Sequence, residues 1–136
     1  MEDSVVVTAA VRTAIGAHQG AFKDVTAQAL GAAVIAATLK RTGMNPKDVG
    51  EVYLGNVLTA GLGQVPVRQA ALLAGWPPTV PCSAISKVCG SGMLTVMLAH
   101  DLLRAGTLTS VIAGGMENMS RAPLLLGRER GAYQSG

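Results

Sequence analysis

A thiol at position 89 stands where an apolar stretch, Val80 to Val88, gives way to Gly90-Ser91-Gly92 and a helical run. A cysteine at such a junction meets the positive end of a helix and unpaired backbone N–H groups, which favour the thiolate and can hold an oxyanion. The small residues after it leave room for a substrate to reach the sulfur. Cys89 is therefore the candidate nucleophile, with its own backbone N–H as an oxyanion donor. Spacing alone leaves a second reading open, an inert buried thiol beside a turn that only starts a helix close to a sheet.

A cysteine nucleophile usually works with a base, and His18 and His100 are the only histidines. His100 lies eleven residues beyond Cys89, a rise of roughly 16 Å along an intact helix, too far for direct proton transfer. His18 falls in a loop and belongs to no motif. Cys82 and Cys89, seven residues apart, have poor geometry for a disulfide and no zinc-ligand spacing, so both are expected as reduced thiols, Cys82 in the core. No metal site is expected. Gly61-Leu62-Gly63-Gln64-Val65-Pro66 matches neither a dinucleotide fingerprint nor a P-loop and reads as a loop. Glu117 and Asn118 are candidates for the rim of the site.

The elements that must position these groups alternate. Strands are expected at Val5 to Ala10, Glu51 to Leu54, Val80 to Val88 and Ser110 to Ala113. Helices are expected from Thr26 to Arg41, from Pro66 to about Ala74 and from Ser91 to Ala105, each stopped by a glycine, with a short helical turn at Asn45-Pro46-Lys47-Asp48. This βαβαβαβ order gives an α/β fold, a mostly parallel sheet with helices on both faces, whose ligands gather beyond the carboxyl ends of the strands. Cys89 and Asn118 each follow a strand and belong to that rim. Met93 to Ala99 is apolar on every face, the pattern of a helix buried within a larger assembly.

Composition points the same way. Charged residues are only 14% of the 136, against about 25% in an average soluble protein, while hydrophobic residues reach 49%. The apolar surplus forms no run long enough for a membrane span, so a large subunit or domain interface accounts for it better. The net charge of +3 is spread without basic runs or aromatic interleaving, which argues against nucleic acid as a partner. The acidic start, Met1-Glu2-Asp3-Ser4, resembles no secretory or transit segment, so a cytoplasmic location is expected.

Lys87-Val88-Cys89-Gly90-Ser91-Gly92 resembles the active-site segment of the thiolases, the acetyl-CoA acetyltransferases. Arg12-Thr13-Ala14-Ile15-Gly16, Gly55-Asn56-Val57-Leu58, Gly61-Leu62-Gly63-Gln64, Arg68-Gln69-Ala70 and Gly114-Gly115-Met116-Glu117-Asn118-Met119-Ser120 resemble further segments of that family, in order. The resemblance implies a thiolase-like N-terminal half-fold and reversible Claisen chemistry on coenzyme A thioesters, with no cofactor beyond those substrates. Cys89 would take the acyl group as a thioester, and a second acyl-CoA, deprotonated at its α-carbon, would attack it to give a 3-ketoacyl-CoA.

Thiolases are about three times longer than this chain. Their catalytic histidine, second cysteine, asparagine-held water and fifth strand have no counterpart here. The resemblance therefore implies a complementary C-terminal half as partner, acyl-CoA as substrate, and a dimer or tetramer. It divides the chain into an α/β domain, residues 1–120, and the opening of a loop segment used in tetramerisation, residues 121–136, in which Leu124 replaces an aromatic residue. The alternative is a non-catalytic interaction subunit with the same half-fold.

Overall fold

A computed structural model describes residues 4–125. Helix α1, Ala27–Thr42, is opened by Thr26, whose hydroxyl accepts from the Ala29 amide, and closed by Gly43 in the left-handed conformation with its amide on the Leu39 carbonyl. Those are the hydroxyl cap and glycine stop that a helix end requires. A 3₁₀ turn, Pro46–Asp48, is capped by the Asn45 side chain and delivers the chain to β1, Glu51–Gly55. Helix α2, Pro66–Leu73, β2, Cys82–Ile85, helix α3, Ser91–Arg104, and β3, Val111–Gly115, follow in order.

The three strands form one parallel sheet in the order β2-β1-β3, with Val52 beside Cys82 and Ile112, and Gly55 beside Ile85 and Gly115. Side chains alternate across it. Val52 and Leu54 face the layer formed by α1 and α2 and join Ile35, Val67, Ala70, Trp76 and Met116 in the core. Gly55 faces the other way, against Ser91 and Gly92 at the start of α3. Helices thus cover both faces, as the expected α/β class requires, and β1 is the buried central strand.

The expected first strand is the main difference. Val5 to Ala10 forms no ladder among the described residues, and Val6 and Val7 are largely exposed. A strand exists only through its neighbour's hydrogen bonds, and here a cavity of about 600 Å³ lies between residues 5–13 and β3. The β-branched run supplies the extended propensity but no partner lies beside it. The strand expected over Val80 to Val88 is likewise shorter, because the chain leaves the sheet after Ile85 to form the turn bearing Cys89. Residues 126–136, most of the expected loop segment, lie outside the described residues, and the 3₁₀ turn Met119–Arg121 spans its expected boundary.

Candidate active site

The turn from Lys87 to Ser91 sets the position of Cys89. Gly90 and Ser91 donate their amides to the carbonyls of Lys87 and Val88, at 3.0 and 3.1 Å. The buried Ser91 hydroxyl donates to the Val88 carbonyl at 2.6 Å and accepts from the Lys87 amide at 2.8 Å. These two amides are therefore spent holding the turn and are not open to an oxyanion. Ser91, read from sequence as a small residue leaving room, is a brace. Val88 adopts φ +50°, a conformation that a β-branched residue takes only under constraint. The result is an exposed thiol at Cys89 just ahead of α3.

Helix α3 is seated by two contacts that fix its first turn. Gly55 lies so close that a Cβ there would stand 2.6 Å from the Gly92 nitrogen, a contact only glycine permits. Thr95, fully buried, has its hydroxyl 2.7 Å from the Gly92 carbonyl and 2.9 Å from that of Gly114, tying the helix to β3.

Cys89 opens on a cavity of about 520 Å³ at the carboxyl ends of β1 and β3, with Asn56, Val57, Leu58, Met116, Glu117 and Met119 in its walls. Its size falls within the range of small-molecule sites, roughly 300–1,000 Å³. Glu117 lies on the cavity and holds one wall. Its Oε1 accepts from Asn56 Nδ2 at 3.0 Å, and its Oε2 from the amides of Val57 and Leu58 at 2.8 and 3.2 Å. Asn56 is buried and also donates to the Met116 carbonyl at 3.2 Å. Because both of those partners are acceptors, its amide orientation is fixed, and its buried Oδ1 has no partner among the described residues.

Asn118 points elsewhere. Its side-chain amide donates to the carbonyls of Phe22 and Val25 and its Oδ1 accepts from the Ser120 amide, so it stitches the loop before α1 to the chain after β3. Ser120 extends that seam by accepting from the Gln19 amide at 2.8 Å. Neither histidine lines the cavity at Cys89. His100 pairs with Asp101 at 3.2 Å on the exposed side of α3 and faces the other cavity instead.

Cys82 is a free, partly buried thiol packed against the core, and burial pushes its pKa up. The Gly61-to-Gln64 segment is a loop held by glutamines, with the Leu62 carbonyl accepting from both Gln28 and Gln69. Among the described residues no cluster of histidine, cysteine or carboxylate side chains could hold a metal ion, and no helix is long and apolar enough to cross a membrane.

From sequence, Asn56 and Thr95 carry no site role and Ser91 reads only as a small residue, yet all three hold the site together by hydrogen bonds. Position at the carboxyl end of a strand was the available signal for Asn56, whereas the polar roles of Ser91 and Thr95 depend on which face of α3 meets the sheet.

Known proteins resemble the chain over nearly its whole length. The family described as "Thiolase, N-terminal domain" matches residues 5–135. A probable acetyl-CoA acyltransferase of Staphylococcus aureus strain MRSA252 is 49% identical over 132 residues, which cover 97% of this chain and 34% of that protein. Its counterpart in strain NCTC 8325 is similar to the same extent, 49% over 132 residues. The chain thus spans about a third of the length of these curated relatives. The chain belongs to the thiolase family and corresponds to the N-terminal domain.

Proposed function

We infer that this chain carries the acyl-accepting half of an acyl-CoA acyltransferase active site. The observation that carries the reading is the exposed thiol of Cys89, held ahead of α3 at the mouth of the cavity beyond β1 and β3. In the proposed first step Cys89 Sγ attacks the thioester carbonyl, with the Cys89 backbone N–H supporting the oxyanion. The acyl–sulfur bond to coenzyme A breaks, and coenzyme A leaves as the thiol with the proton that Cys89 loses. In the second step a base removes a proton from the α-carbon of another acyl-CoA. That carbon bonds to the Cys89-bound carbonyl, and the Cys89 thiol is regenerated as 3-ketoacyl-CoA departs. Thiolysis runs the same steps in reverse. Coenzyme A thioesters are the only small molecules required.

The base is proposed to come from a complementary C-terminal half, since neither His18 nor His100 lines the cavity. Three features favour such a partner. Strand β3 pairs only with β1 among the described residues. A cavity of about 600 Å³ separates its other edge from residues 5–13. Met93, Val96 and Met97 on α3, the helix that follows Cys89, are at least half exposed, an apolar surface that water disfavours. Assembly into a dimer or tetramer, and a cytoplasmic setting, belong to the same reading.

The test is acylation in the native protein that contains this chain. Incubation with acetyl-CoA and peptide mass analysis should find an acetyl group on the peptide bearing Cys89, with product formed when a second acyl-CoA is present. Cys89→Ser should abolish both, while Cys82→Ser should retain them. Turnover that survives Cys89→Ser would eliminate the proposed role.

A further inference from the structure

We propose that Glu117 is a positioning residue that sets which acyl group the Cys89 cavity accepts; this rests on the acyl-transfer reading above. Val57 and Leu58 are apolar, partly exposed and share the cavity with Cys89, so they form the wall against which an acyl chain would lie. Nothing in the β1 ladder holds them, because β1 ends at Gly55. They are held instead by Glu117, sixty residues further along the chain, whose two oxygens take the amides of Val57 and Leu58 and the Nδ2 of Asn56.

The arrangement accepts only a carboxylate. All three partners are donors, and glutamine would turn its own NH2 toward either Asn56 Nδ2 or the two backbone amides. Asn56 cannot rotate to accommodate it, because its Oδ1 would then oppose the Met116 carbonyl that its Nδ2 now satisfies. Hydrogen bonds to a charged acceptor are among the strong ones, so the neutral glutamine weakens all three and sets one against a donor; the hold on Val57 and Leu58 loosens, while Asn56 keeps its own bonds to the Ile85 and Met116 carbonyls. The wall then moves while Cys89, fixed by Ser91 and the Lys87–Ser91 turn, stays in place. The expected consequence falls on fit, hence on selectivity among acyl groups, more than on the reactivity of the thiol.

The experiment compares the native protein with its Glu117→Gln and Glu117→Asp variants. Hydrogen exchange at the Val57 and Leu58 amides should accelerate by about tenfold or more in Glu117→Gln, the equivalent of losing one charged hydrogen bond. The ratio of kcat/KM for octanoyl-CoA to that for acetyl-CoA should change by about fivefold or more, with KM moving more than kcat and labelling of Cys89 by iodoacetamide changing by less than about twofold. Glu117→Asp, which keeps the carboxylate, should lie between the two. Should Glu117→Gln not fold, Glu117→Asp carries the test through the same two readouts, because its shorter side chain keeps the charge but cannot reach all three donors; Val57→Ala, which widens the same wall with the clamp intact, should shift the ratio toward octanoyl-CoA. Unchanged exchange or unchanged selectivity in Glu117→Gln, or no shift in Val57→Ala, would overturn the proposal. Absence of acyl transfer in the wild-type protein would instead sink the reading on which it rests.

Discussion

Gly55→Ala places a methyl group where β1 meets the first turn of α3. The added carbon would stand 2.6 Å from the Gly92 nitrogen and the Ser91 carbonyl carbon, and 2.8 Å from the Ser91 Cβ. Ordinary contact begins near 3.4 Å, so the helix start must withdraw by about 0.8 Å. Those neighbours are mainly backbone atoms tied into the sheet through Thr95, and no flexible side-chain end can yield in their place. Overpacking of this kind costs about 1–3 kcal/mol. The smaller conformational freedom of alanine in the unfolded chain returns about 0.4–1 kcal/mol, so a net loss of about 1–2 kcal/mol remains. With a urea slope of about 1–3 kcal/mol per molar, the unfolding midpoint should fall by about 0.5–1 M. Displacement by nearly 1 Å also moves the turn that presents Cys89, and misplacement on that scale costs up to about 100-fold in rate. Urea unfolding followed by circular dichroism, together with the rate of Cys89 acetylation in the native protein, measures both effects. A midpoint equal to or above wild type with an unchanged acetylation rate would refute the claim that this contact seats the helix.

Thr95→Val keeps the shape of the side chain but leaves the Gly114 carbonyl without its hydroxyl donor, so it should lose about 1–2 kcal/mol in denaturant unfolding; wild-type stability would show that the bond is immaterial. Tyr53 has its pKa pushed up to about 12 by burial, with the 2.7 Å hydrogen bond to Glu51 and that residue's charge adding to the shift. The raised folded-state value means this stabilisation is complete below the free tyrosine pKa of about 10 and is lost as pH climbs from there toward 12. Phenolate absorbance should therefore appear well above pH 10 and move down in Glu51→Gln, and a midpoint insensitive to that change would contradict the assignment. Asn118→Ala removes two donors from the Phe22 and Val25 carbonyls, so residues 19–25 should become readily cleaved by protease; a digestion pattern like that of wild type would count against the seam.

Legibility followed whether a property is local. Helix α1 was readable because Thr26 and Gly43 cap it within their own neighbourhood, and α3 because Gly90-Ser91-Gly92 marks its start. Val5 to Ala10 was misjudged as a paired strand because β propensity describes a residue's fit to a sheet surface and says nothing of whether a neighbour stands beside it. Glu117 and Asn118 adjoin in sequence, and both looked like rim residues. Their different fates, one on the cavity wall and the other in the seam to residues 22–25, follow from partners about sixty and ninety positions away. Thr95 was hidden for a related reason, because an apolar run around it concealed which of its faces meets β3.

The strain at Val88 and the brace at Ser91 explain one another. A valine in the left-handed region costs on the order of 1–3 kcal/mol, and such a conformation persists only where its surroundings enforce it. Here the flanking residues are tied by two amide bonds and by a serine hydroxyl that both donates and accepts, each worth about 1 kcal/mol. Relaxing Val88 into a strand would release the strain but also extend β2 through Cys89, carrying the sulfur along the sheet edge and away from the cavity at the ends of β1 and β3. The turn, the glycine contact at residue 55 and the Thr95 bonds are all internal to this chain, and together they define the thiol's position without a partner. What a partner would add lies on the open side of that cavity. The proposed division of labour would suit the chemistry: covalent acyl capture requires a fixed sulfur, whereas proton transfer requires a base brought within hydrogen-bond reach of substrate.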